Sequence, residues 1–347
     1  METMKSALLV EPGHFEIRTQ PRPEPRPGEA LVQVRAVGIC GTDLHGYHGT
    51  FPWMTYPRIV GHEICGEVVA VGAEVQKSLL GRLVSVEPTI TCGSCYPCRI
   101  GRYNCCLSMQ VRGVHVDGGL CEYLAVPADH LYPLPADLGA EEGALIEPLS
   151  IGCQAIWRSG AQAGETVAII GAGPIGLACL LAAQQVGARV LIADLLDSRL
   201  ALAEELGAEV VINSASQSLA EAVEQFSGGD GANVAVDAVG VPATLDAAAE
   251  IVSSAGRLIV LGFGDYPLGL SIPFLIRKEL DIRASRLNSG QFPHAIKIAS
   301  QREDDVRKLI SHRFRLEKAG EALALVSAHP ELTCKVLILP YEPVSSH

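Results

Sequence analysis

The most apolar stretch of the chain, Thr166 to Ala183 (TVAIIGAGPIGLACLLAA), approaches the length of a membrane span, which takes about 18 or more apolar residues. Three glycines and a proline interrupt it at its centre, and they divide it into a short strand, a turn and a helix. Carried on to Asp194, the segment adds a second apolar strand that ends in an acid. Two later runs, ANVAVDAVG and GRLIVLGF, repeat an apolar strand ending in small residues. None of these runs alternates with period two, as expected of parallel strands covered on both faces. The chain up to about Ala144 has another texture. Apolar segments such as ALVQVRAVGI and EICGEVVAVG lie among prolines and glycines, which predicts a β-rich domain. The tail, from HAIKIASQ to CKVLILP, predicts a helix and a closing strand.

Length and charge narrow the classes. A chain of 347 residues has room for two domains of ordinary size, and 48% hydrophobic with 19% charged residues suits a globular protein with a sizeable core. A net charge of −12 argues against a nucleic-acid partner, which calls for clustered Lys and Arg. The start, METMKSALLVEPG, has no apolar stretch leading to a cleavage site and reads as a first strand. The expectation is a cytoplasmic protein that binds neither membrane nor nucleic acid. In a reducing compartment its eleven cysteines are metal ligands or catalytic groups sooner than disulfides.

Five of those cysteines fall within Thr91 to Cys106, TCGSCYPCRIGRYNCC. Cys92, Cys95 and Cys98 follow C-x-x-C-x-x-C spacing, and Cys106 comes eight residues later. Two-residue gaps let a tight loop turn several thiolates to one point, and four thiolates close a tetrahedral zinc shell with no open position. Such a centre contributes folding energy and does no chemistry. Cys105 competes with Cys106 for the fourth place.

The glycines at Gly171, Gly173 and Gly176 have G-x-G-x-x-G spacing, with Pro174 and Ile175 between them, a strand before and a helix after. That context is what a dinucleotide-binding turn requires: a tight bend, close approach of backbone to pyrophosphate, and a helix N-terminus facing the phosphates. Asp194, at the end of the second strand, can accept hydrogen bonds from both ribose hydroxyls and repels a 2′-phosphate, which favours NAD over NADP. Arg199 complicates this, because an arginine there could pair with a phosphate, but at its helical spacing it reads as an exposed helix residue or one packed against the adenine. Asp237 and Gly262 fall at strand ends, where a doubly wound sheet binds its ligands.

Three separated stretches hold a second donor set. GICGTDLH contains Cys40, GHE contains His62 and Glu63, and EPL contains Glu147. A thiolate, an imidazole and carboxylates, with one position left for water or substrate, make the composition of a catalytic zinc. The order of these motifs, with the cysteine lobe, DGGLCEYL and GAGPIGL, resembles the zinc-dependent medium-chain alcohol and polyol dehydrogenase family, in the branch of sorbitol, threonine and sugar-acid dehydrogenases.

The resemblance carries a full set of expectations. The fold class is α/β, a GroES-like β-barrel catalytic domain (1–144) plus a Rossmann doubly wound parallel sheet (145–284), with 285–347 returning to the first domain. Cys40, His62 and Glu147 would hold a catalytic zinc, Glu63 serving as a direct or exchanging ligand. Cys92, Cys95, Cys98 and Cys106 would hold a structural zinc, so that each chain carries two Zn2+ and one NAD. Thr42 would receive a hydrogen bond from the substrate hydroxyl and His45 would pass its proton to water, with a cofactor ribose hydroxyl between them. Asp43 would order its loop, and His48 has no assigned role. A homotetramer is expected.

For the substrate, GHEICGE, NCC, GVHVDGG and ASRLNS look most like dehydrogenases of sugar acids, of the L-galactonate 5-dehydrogenase kind. Arg286 could form a bidentate pair with a substrate carboxylate, and Glu87 could meet its hydroxyls. L-threonine 3-dehydrogenase, a neutral polyol dehydrogenase and a non-enzymatic structural zinc protein of the same fold are the alternatives.

Overall fold

The computed structural model describes residues 2–341. The chain forms two compact units, with boundaries between Glu147 and Pro148 and between Ile298 and Ala299. The return to the first unit therefore comes at 299, where 285 was expected. The strand Asp281–Ala284 and the head of the helix Phe292–Gln301 still pack with the second unit.

The first unit is built on the strand Glu29–Gly38, with seven of its ten residues buried and the other three partly so. It pairs antiparallel with Glu63–Val71, Tyr123–Pro127 and the closing strand Lys335–Leu339. Beyond these lie Leu83–Val86 and Leu131–Pro133 on one side and Ile310–Arg315 on the other. Register shifts at Leu31/Val32 and Val34/Ala36 bend the pairing with Glu63–Val71, since each bulge adds local twist. Gly38 pairs with Glu63 on one side and Leu337 on the other, so one end of this sheet gathers residues from three distant parts of the chain.

The second unit has six parallel strands in the spatial order Val210–Asn213, Arg189–Asp194, Thr166–Ile170, Ala232–Asp237, Val252–Val260, Asp281–Ala284. This is the 3-2-1-4-5-6 order of a dinucleotide-binding sheet. The apolar stretch that raised the membrane question is its first strand, Thr166–Ile170, buried throughout, and the helix Pro174–Gln185, buried from Gly176 to Ala183. A helix that is apolar all round is one packed on all sides. No helix among the described residues is long and apolar enough to cross a membrane. Both parts of the expected α/β fold class are present.

Candidate metal centres and cofactor loop

The four cysteines at 92, 95, 98 and 106 converge, with their sulfur atoms within 4.8 Å of one another. Cys95 and Cys98 sulfurs are 3.4 Å apart and those of Cys92 and Cys106 3.6 Å, close to the edge of a tetrahedron with zinc–sulfur bonds of about 2.3 Å. The loop supplies donors to the sulfurs: Cys95 N–H reaches Cys92 Sγ and Cys92 N–H reaches Cys106 Sγ, both at 3.3 Å. The amides of Ser94 and Cys95 hold the Cys92 thiol down to about 5. Cys98, pushed by burial and by its neighbouring thiols to about 12, needs a cation to ionise. Cys105 is not part of this group.

The second donor set grows from sheet register. Glu29–Gly38 ends two residues before Cys40, which caps the helix Gly41–Tyr47. Glu63 opens the neighbouring strand opposite Gly38, with His62 just ahead of it. Donor atoms of Cys40, His62 and Glu63 lie within 4.8 Å of one another. Glu147, in the first turn of the helix Ile146–Ser159, stands outside that tightest trio but is buried beside it. Burial first, and then the like charge of Glu63, push its carboxyl up to about 7 against the pull of His62.

Asp43 stands behind His62, its Oδ1 3.7 Å from Nδ1, and is itself held by the amides of Cys40 (2.9 Å) and Gly61 (3.1 Å). That separation is too long for a hydrogen bond, and His62 Nδ1 is buried without a hydrogen-bond partner among the described residues, so Asp43 acts on the ring through its charge. Burial lowers the tendency of His62 to carry a proton, yet Asp43 and Cys40 outweigh it and leave the imidazole well above its usual range. Glu63 Oε2 is buried and, among the described residues, has no hydrogen-bond partner. A thiol, three carboxyl groups and a histidine that attracts a proton form a site short of positive charge. A divalent cation satisfies that deficit, and sulfur, nitrogen and oxygen donors together suit zinc.

The sequence did not single out Lys335. Its Nζ lies 2.6 Å from Glu63 Oε1 and 3.2 Å from the Ile39 carbonyl oxygen, fully buried. The signal was a lone cation in the apolar closing strand CKVLILP, a residue type almost never buried without a partner.

Thr42 Oγ1 is 4.0 Å from Cys40 Sγ, and His45 lies further along the same helix, exposed, with Nδ1 3.0 Å from Thr50 Oγ1. Glu87 is buried, and its two oxygens accept hydrogen bonds from Tyr103 (2.9 Å) and Tyr132 (3.0 Å). Arg286 is exposed in the second unit, two residues past the strand Asp281–Ala284, and is followed by Leu287 in the left-handed region (φ 46°).

The glycine loop has the geometry its spacing calls for. Gly171 has φ 99°, and a Cβ on Gly176 would sit 1.8 Å from Gly171 O, so both positions exclude a side chain. Gly173 caps the helix that Pro174 and Ile175 open. Asp194 accepts the amides of Ala172 (2.7 Å), Leu195 (2.8 Å) and Leu196 (3.0 Å), and Arg199 Nη1 stands 3.7 Å from it. Asp237 and Gly262 are joined by a hydrogen bond from Gly262 N–H to the Asp237 carbonyl (2.9 Å). Asp237 Oδ1 accepts the amides of Val239 and Gly240, while its buried Oδ2 has no partner among the described residues.

Known proteins match both halves. Residues 26–136 match the alcohol dehydrogenase GroES-like domain, and residues 174–301 match the zinc-binding dehydrogenase family. The chain is 34% identical to sorbitol dehydrogenase of Bacillus subtilis, covering 98% of each. It is 34% identical to L-galactonate-5-dehydrogenase of Escherichia coli over 92% of this chain and 94% of that one. Among solved structures, the alcohol dehydrogenase RspB of Escherichia coli CFT073, in complex with NADH, superposes with a TM-score of 0.91 at 35% identity, covering 98% of this chain and all of that one.

Proposed function

We infer the reaction from one premise: the chain belongs to the zinc-dependent medium-chain alcohol and polyol dehydrogenases. It is an oxidoreductase that uses zinc and a nicotinamide cofactor. Its substrate in this reading is a polyol or sugar acid whose secondary hydroxyl becomes a ketone as hydride passes to NAD+. Within that class, the reading favours sugar acids of the L-galactonate kind.

The observation that carries the reading is the trio Cys40, His62 and Glu63 with Glu147 buried beside it, since the resemblance associates a carboxylate at that position with the polyol branch. Two relatives, named for sorbitol and L-galactonate, point to the same substrate class. For a sugar acid in particular, support comes from Arg286. Its exposed guanidinium precedes a leucine in a conformation that costs about 1–3 kcal/mol, and such strain concentrates at ligand sites.

Cys40, His62 and Glu147 would hold the zinc, which would supply Lewis-acid polarisation of the substrate hydroxyl, and NAD+ would supply the hydride acceptor. The chain's own residues do the rest. Asp43 sets its charge behind the His62 ring, and Lys335 holds the Glu63 carboxylate in place next to it through their ion pair. Thr42 accepts the hydrogen bond of the substrate hydroxyl, and His45, exposed to solvent, releases the proton. Asp194 takes the adenosine ribose hydroxyls, which sets the preference for NAD.

A homotetramer is the assembled form in this reading. Supporting self-association, the second unit exposes Phe263, Ile272 and Ile276 close in sequence to its edge strand Asp281–Ala284. Light scattering on the eluting protein would test it.

The deciding experiment measures NADH formation by the zinc-loaded protein on aldonates including L-galactonate, on neutral polyols and on L-threonine. Preference for aldonates is expected, and loss of that preference in Arg286→Ala would tie it to the guanidinium. Preference for neutral polyols would remove Arg286 from substrate recognition, and preference for threonine would overturn the reading of the substrate.

A further inference from the structure

His45 stands in the last turn of the helix Gly41–Tyr47, and the chain comes back to it at Thr50. Thr50 binds it in three ways. Its N–H donates to the His45 carbonyl at 2.9 Å, its hydroxyl donates to the same oxygen at 3.3 Å, and its Oγ1 lies 3.0 Å from His45 Nδ1. A hydroxyl has a single proton to donate. With that proton directed to the carbonyl, Oγ1 can only accept from the ring. Nδ1 then carries the hydrogen of the neutral imidazole, and Nε2 carries the lone pair.

We propose that Thr50 is a positioning residue for the dehydrogenase reaction: it holds neutral His45 in the Nδ1–H tautomer and so presents Nε2 as the atom that takes the proton released in alcohol oxidation. The inference rests on the reading of His45 as the proton exit. In the step it describes, the substrate O–H bond breaks and its proton reaches Nε2. The C–H electron pair leaves as hydride to NAD+. The imidazolium then returns a proton from Nε2 to water, and Thr50 restores the starting tautomer. An imidazole without this constraint favours hydrogen on Nε2, the atom the step needs bare.

The surroundings leave Thr50 as the group that sets the ring. His45 forms no ion pair among the described residues. Asp43, on the same helix, is turned to His62 and to the amides of Cys40 and Gly61. His48 Nε2 meets Ser327 of the helix Ala319–Ala328, and Glu321 of that helix pairs with Lys318. Tyr56, from the loop packed on the helix, donates to the Gly46 carbonyl.

The test uses full-length zinc-loaded protein with 15N-labelled histidine, comparing wild type, Thr50→Val, Thr50→Ser and His45→Gln. Imidazole nitrogen shifts read the tautomer directly, and kcat against pH reads its consequence. In wild type, His45 is expected to show a bare Nε2 and a protonated Nδ1, and T50V to move hydrogen to Nε2. T50V should lower kcat about tenfold, a part of the roughly 10²–10⁴-fold that a positioned acid–base group supplies, and shift the pH profile while both KM values stay within about twofold. T50S should restore shifts and rate. Wild-type shifts and an unchanged profile in T50V, alongside an altered profile in H45Q, overturn the role of Thr50 alone. An unchanged profile in H45Q overturns the proton-exit reading and the inference with it.

Discussion

Lys335 Nζ and Glu63 Oε1 lie 2.6 Å apart, with the two side chains 3% and 0% exposed. They are separated by 272 residues and meet because the closing strand lies against the strand Glu29–Gly38, whose other neighbour begins at Glu63. The ammonium raises no pKa conflict of its own: burial disfavours its charge, but Glu63 and Cys40 more than compensate and hold it above the ordinary lysine range. It pairs with one of the site's three carboxyl groups, Glu63.

Removing one partner of a buried ion pair strands the other. Lys335→Met should therefore destabilise the zinc-loaded protein by about 3–5 kcal/mol, and Glu63→Gln in the same chain should recover much of that loss. Urea unfolding of both variants checks this. Equal stability of wild type and K335M would mean that the pair contributes nothing net.

The two metal centres should separate by mutation. Cys40→Ala is expected to lower zinc content from about two to about one per chain and abolish turnover while the protein stays folded. Cys95→Ser should remove the other zinc and lower Tm, since a closed cysteine cage contributes folding energy. Metal analysis with thermal unfolding distinguishes the two. Turnover retained by C40A would sink the assignment of the open site.

Gly38 has no side chain where Glu63 needs room. A Cβ at this position would stand 1.9 Å from Glu63 Oε2, and the Gly38 backbone is paired on both sides and cannot yield. Gly38→Ala should cost about 1–3 kcal/mol, the usual range for overpacking, and should reduce turnover by displacing the carboxylate. Wild-type stability and rate would show that Glu63 is free to move without consequence.

At the cofactor loop, Asp194→Ala should lower kcat/KM for NAD about 10–100-fold, the equivalent of one or two charge-assisted hydrogen bonds. The same change releases Arg199 from its carboxylate partner, so kcat/KM for NADP should rise, and Arg199→Ala in that background should cancel the rise. Kinetics with both cofactors decide it. An unaltered NAD/NADP ratio in D194A would remove Asp194 from cofactor selection.

What the sequence determined by itself is local. The turn at Gly171, Gly173 and Gly176 was legible because its strand and helix are contiguous with it, and a side chain at Gly176 meets backbone only five residues away. The spacing of Cys92, Cys95 and Cys98 was legible for the same reason, because a loop of seven residues can turn all three thiols inward with no help from the rest of the fold. The β-rich texture of the first part and the strand, turn and helix of the second were legible in apolar runs and in glycine and proline breaks, while the barrel and the doubly wound sheet were what the family resemblance implied.

The tertiary structure decided what depends on pairing between distant strands. Cys105 and Cys106 are adjacent in sequence, and only the packed lobe turns one of them toward Cys92. Asp43 read as a loop residue until the fold set it behind His62. Lys335 carried no motif at all. Its role comes from one register, Gly38 between Leu337 and Glu63, and a register is a property of three strands together.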